Sequence, residues 1–171
     1  MNRIAFGALA VVAGLSAATT ATAQDINTTL SYRIGFVYPL EDSVRDFTGN
    51  MASVGVDIET EFSLIKGSVG YLSADYIFGA IDGGKGKFIP IMWNQRFGLS
   101  QGLAGRDTYF FVGAGFVNVD AGNSARFRYG LRGGIGVRLS EKQYVEATYL
   151  WSDDASGVRA NSLGFSIGFR F

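Results

Sequence analysis

The side chains best equipped for chemistry lie in one stretch, RFRYGLRGGIGVRL, residues 126–139. In an extended strand Arg126, Arg128, Arg132 and Arg138 share a face with Gly130, Gly134 and Gly136. Phe127, Tyr129, Leu131, Gly133, Ile135, Val137 and Leu139 take the other face. A row of guanidinium groups can line an anion-selective pore, or it can be neutralised by carboxylates. The candidate partners are Asp57, Glu59, Asp75 and Glu146, with Arg170 as a further base. Arg33 and Arg96 add a modest positive excess.

Other chemistries are poorly supplied. The chain has no histidine, the commonest general base and metal ligand, and no cysteine for thiolate sites or disulfides. No Ser–Lys or paired-carboxylate constellation stands out, so no catalytic residue, metal site or cofactor is expected. GAG at 113–115 and GGIG at 133–136 lack the strand-to-helix setting that a phosphate loop needs. A formal net charge of zero leaves no footprint for nucleic acid.

These residues must be positioned by strands. From Leu30 onward, period-2 segments alternate with turn clusters, and no long helical pattern appears. The segments are LSYRIGFVY (30–38), ASVGVDIETEF (52–62), SVGYLSADYIF (68–78) and FIPIMWNQRF (88–97). DTYFFVGAGFVNV (107–119), the arginine segment, YVEATYLW (144–151) and SLGFSIGFRF (162–171) complete eight. The fifth is apolar on both faces; Phe110, Val112, Ala114 and Phe116 are set outward because Gly113 and Gly115 then leave room inside. Ahead of all this, MNRIAFGALAVVAGLSAATTATAQ has a basic start, an apolar run from Ile4 to Leu15 and a small-residue Ala21-Thr22-Ala23 site. It reads as a secretory signal, residues 1–23, with Gln24 opening a single domain over 24–171. The apolar run is too short for a membrane-spanning helix, which needs about 20 residues.

The two faces of the sixth segment decide the solvent. A face turned to water has no use for repeated glycine, which weakens a strand and packs against nothing. The inside of a narrow barrel does, because a long arginine fits only beside neighbours that take no room. The large apolar residues then point outward, which is stable in lipid. A closed barrel satisfies every backbone group there, and strands of about 9–11 residues suffice to cross. The expectation is an all-β, eight-stranded antiparallel transmembrane barrel of up-and-down topology. Its last strand would close the ring on the first. The rival is a soluble calycin-like barrel with its aromatic faces lining a ligand cavity.

On the export signal, the alternating segments and the last strand, the chain resembles the small eight-stranded outer-membrane barrels, the OmpA/OmpX-like family. The resemblance implies the outer membrane of a Gram-negative-type bacterium and contact with outer-membrane lipid. It also implies that Phe165, Ile167, Phe169 and Phe171 form a signal read by the barrel-assembly machinery. An eight-stranded interior is just wide enough to be filled by side chains. That favours an internal charge network over a conducting pore, and a structural or surface-interaction role over a small anion channel. Glu146 would face Gly136 or Arg138 across the SEKQ turn. Tyr38, Phe78 and Trp151 would belong to the outer aromatic girdle, Phe97 and Phe171 to the inner one. The turn GLSQGLAGR, Gly98 to Arg106, is longer than periplasmic turns usually are.

The outer connections, 39–50, 80–87, 119–124 and 152–160, carry Asp42, Asp46, Asp82, Asp120, Asp153 and Asp154. An acidic rim could take divalent cations or a basic partner, and loops 39–50 and 152–160 are the candidate contacts for extracellular ligands. In the first of these, Leu40, Val44 and Phe47 recur at helical spacing and Glu41 can pair with Arg45, so a two-turn helix competes with an irregular loop.

Overall fold

The computed structural model describes residues 28–79, 86–99, 107–120, 125–154 and 158–171. The signal segment with Gln24, residues 100–106 of the long turn, and Asp82 in its connection lie outside these. Strands β1 (Thr29–Pro39), β2 (Met51–Thr60), β3 (Val69–Gly79) and β4 (Lys87–Leu99) lead into β5 (Thr108–Asp120), β6 (Ala125–Arg138), β7 (Gln143–Ser152) and β8 (Ser162–Arg170). Each pairs antiparallel with the next, and β8 returns to β1, closing the barrel from Ser31↔Arg170 to Pro39↔Ser162. Closure leaves no sheet edge along the paired length, the condition a lipid environment imposes.

The faces follow the alternation. Ile34, Val54, Leu72, Ile91, Val112, Phe116, Leu131, Ile135 and Phe165 point away from the barrel and are exposed. On β5, Phe110, Val112 and Phe116 are outward while Tyr109, Phe111, Val117 and Val119 are buried inside. Aromatic pairs mark both ends of this belt: Phe116 lies 5.3 Å from Tyr129 toward one end, and at the other Phe97 stacks on Phe110 at 4.8 Å and Tyr32 meets Phe171 edge-on at 5.5 Å. A soluble ligand-binding barrel would turn such residues inward.

The 39–50 connection contains a helix, α1 (Asp42–Thr48). Gly49, at φ 60°, ends it by donating its N–H to the Arg45 carbonyl, a conformation that favours glycine. Arg45 pairs with Asp42 rather than with Glu41, whose carboxylate accepts from Asn161 Nδ2 at 3.0 Å. Glu41 lies before the first helical turn, so its side chain is free to reach the last strand. Val44 is buried while Leu40 and Phe47 stay exposed, so one residue of the expected apolar stripe faces the barrel mouth.

Candidate functional site: the barrel interior

Three tiers fill the interior. The middle tier is ionic and hangs on Arg33. Its Nη2 lies 3.0 Å from Asp57 Oδ1 and 2.8 Å from Asp75 Oδ1, and its Nη1 lies 3.3 Å from Glu146 Oε2. Arg132 reaches Asp75 at 3.1 Å, Glu146 at 3.8 Å and Ser73 Oγ at 3.0 Å. Two tyrosines complete the carboxylates: Tyr144 donates to Asp57 at 3.0 Å and Tyr109 to Glu146 at 2.9 Å. Among the described residues, three carboxylates thus meet two guanidinium groups in this tier.

Glycine makes that tier possible by cross-strand pairing. Arg33 stands opposite Gly55 on β2 and opposite Gly168 on β8. Arg132 stands opposite Gly113, and Glu146 opposite Gly136. A Cβ on Gly136 would fall 2.2 Å from Cζ of the Tyr109 ring, and one on Gly168 2.1 Å from Cζ of the Tyr144 ring, both in collision. The glycines therefore make room for the tyrosines that finish the network as well as for the arginines.

Toward the end that carries the start of β1 and the end of β8, Glu59 is held between Arg96 and Arg170, the latter at 2.8 Å. The Arg96 guanidinium also lies over the Tyr71 and Tyr109 rings, at 4.7 and 4.9 Å. This tier has two bases and one acid, opposite in balance to the middle one, so the two together are neutral. Toward the other end the interior is apolar. Val37, Met51, Ile77, Phe88, Met92, Val117, Val119, Leu150 and Ala160 form one cluster, and Val44 of α1 closes it from above. A cavity of about 40 Å³ lies between the apolar and middle tiers, beside Arg33, Asp75 and Arg132. It has room for a few water molecules and no more.

Of the residues expected in one interior network, Asp57, Asp75, Arg132 and Glu146 come together, and Glu59 and Arg170 form a separate tier. Arg126, Arg128 and Arg138 join neither. Arg138 pairs with Asp107 at 2.7 Å near one end, and Arg128 donates to the backbone carbonyl of Asp154 at the other. Arg126 is exposed. The reason is height: from Arg126 to Arg138 a strand advances ~40 Å at about 3.3 Å per residue, more than a membrane-spanning tier can hold. Glu146 faces Gly136, which settles the register across the SEKQ turn. Arg33 and Arg96, expected only as an excess of charge, are instead the hubs of the two tiers. Tyr109 and Tyr144 were not singled out by sequence; their signal was inward parity beside glycine.

A de novo designed transmembrane β-barrel matches over 88% of this chain and 100% of its own, with 13% identity and a TM-score of 0.52. The fold is that of the small outer-membrane β-barrels. Neisserial surface protein A matches this barrel over 84% of the chain and 94% of its own, at 12% identity and a TM-score of 0.50. The outer membrane protein Ail of Yersinia pestis matches it over 84% and 99%, at 17% identity and the same score. No protein-family profile and no curated protein matches the sequence. At such identities the likeness speaks for the eight-stranded barrel and leaves its role to the interior and the rim.

Proposed function

We propose that the chain is an integral outer-membrane protein of a Gram-negative-type cell, exported by residues 1–23, with a structural or surface-interaction role. The observation that carries this reading is the filled interior. Among the described residues, two ionic tiers and an apolar tier capped by Val44 leave a cavity of about 40 Å³ instead of a channel. Burying charges in so narrow a space is tolerable only when they are paired, and paired charges block passage. Assembly would read Phe165, Ile167, Phe169 and Phe171 on β8.

The contact surface for partners is the rim formed by 39–50 and 152–160. Asn161 accepts the Leu40 N–H through its carbonyl at 2.9 Å and donates to Glu41 through its side chain. Ala160 N–H donates to Ser152 Oγ at 2.7 Å. The Asn161 bonds join the described parts of the two connections into one surface bearing Asp42, Asp46, Asp153 and Asp154, suited to an extracellular ligand with basic groups. The test is conductance. Purified protein in a planar bilayer should give no steady current; large, stable, anion-selective steps would overturn the reading and install the channel in its place.

A further inference from the structure

The connection between β2 and β3, residues 61–68, does not hang free below the barrel. It folds back onto the outer wall. Gln95 and Trp93 belong to the outward face of β4, yet Gln95 is only 5% exposed because this turn covers it. Ser63 and Ser68 both donate to Gln95 Oε1 at 2.7 Å, and their hydroxyls lie 2.8 Å apart. The Phe62 ring sits 5.5 Å from the Trp93 ring. The Phe62 carbonyl presses on the backbone of Gly70, where any Cβ would collide with it. Gly67 turns the chain at φ 83°, and Ser68 N–H closes the loop on the Ile65 carbonyl at 3.2 Å.

The polarity of this turn is inverted. Its hydroxyls are turned inward, where they are satisfied by Gln95. Its apolar side chains are turned outward, with Phe62 61%, Leu64 66% and Ile65 47% exposed. The β6–β7 turn at the same end does the opposite, presenting Ser140, Glu141 and Lys142 to solvent. Three large apolar side chains on one short turn, continuous with the lipid-facing belt at Leu72 and Ile91, fit a surrounding that is itself apolar. Lys66, at the tip, has the long stem and charged head that suit a headgroup layer.

We propose that residues 61–68 form a foot that sits in the interfacial layer of the lipid leaflet nearest the start of β1 and the end of β8, burying Phe62, Leu64 and Ile65 among headgroups and upper acyl chains. The foot depends on insertion of the barrel into a bilayer and adds to it a lipid contact outside the strands. It fixes how deep the barrel sits, because Trp93 and the foot must share the boundary between hydrocarbon and headgroup.

The chain has no cysteine, so single-cysteine variants carrying a solvent-sensitive NBD probe report one site each. Leu64→Cys is compared with Glu141→Cys on the polar turn and Leu131→Cys in the mid-belt, all in phosphatidylcholine vesicles. The Leu64 probe should be blue-shifted and several-fold brighter than the Glu141 probe. Lipids spin-labelled near the headgroup should quench it more than lipids labelled deep in the chain, the reverse of Leu131. A Leu64 probe as dim as Glu141, with Leu131 bright, would overturn the foot and leave the barrel reading intact. A dim Leu131 probe would remove bilayer insertion and the foot together. Brightness at Leu64 that rises with protein-to-lipid ratio would assign the patch to a second copy of the chain and equally overturn the proposal.

Discussion

Arg33→Met is the sharpest perturbation of the middle tier. Methionine keeps much of the length and removes the one cation that touches all three carboxylates. Arg132 still reaches Asp75 and Glu146, but Asp57 keeps only the Tyr144 hydroxyl among its described partners. Removing one partner of a buried ion pair costs about 3–5 kcal/mol, since the charge left behind is neither solvated nor matched. At 1.4 kcal/mol per factor of ten, that is roughly two to three and a half powers of ten in the folding equilibrium. Glu146→Gln should behave differently. It leaves two carboxylates facing two guanidinium groups and keeps an oxygen for Tyr109, so the loss is about 1 kcal/mol, one imperfect hydrogen bond. Reversible urea unfolding from lipid vesicles, followed by tryptophan fluorescence, measures both. With a slope of about 2 kcal/mol per molar urea, the arginine variant should shift the midpoint by roughly 2 M and the glutamine variant by about a quarter of that. Equal shifts, or a larger one for Glu146→Gln, would refute the claim that Arg33 is the hub.

Two glycines three residues apart on β6, on opposite faces of the strand, should respond in opposite senses. Gly136→Ala places a methyl 2.2 Å from Cζ of the Tyr109 ring and should destabilise by about 1–3 kcal/mol; Tyr109→Leu in the same chain should recover part of that loss in the same urea assay. Gly133→Ala is expected to be neutral or stabilising by up to about 1 kcal/mol, because the nearest atom to the new methyl is 3.7 Å away and alanine restricts the unfolded chain. Export should remove residues 1–23, so intact mass of protein from cell envelopes should correspond to a start at Gln24; a full-length chain in the inner membrane would contradict the signal reading.

The barrel was legible because side-chain direction in a strand is local. Period 2 alone puts Leu131 outside and Arg132 inside, and the same alternation places the two faces of the other strands without knowing which strands touch, except on β5, apolar on both faces, where Gly113 and Gly115 supply the parity. The requirement that arginine needs small neighbours was legible too, since RGGIGVR shows both in one segment. The terms that alternation does not contain were decided elsewhere. Arg33 and Asp75 share a tier across 42 residues, and Arg33 and Glu146 across 113. Whether two inward residues stand at the same height depends on strand tilt and on the register accumulated around the closed ring. That is why Arg126, Arg128 and Arg138, indistinguishable from Arg132 by parity, end at the rims. It is also why the apolar tier under α1 escaped notice, although Val37, Ile77 and Val119 were inward by the same count. The folding of residues 61–68 onto Gly70 and Gln95 likewise depends on β4 arriving beside β3. The sequence by itself determined which face each residue shows, because that is a property of neighbouring bonds. Only tertiary closure decided which residues meet, because height in a barrel is a sum over every strand pairing in the ring.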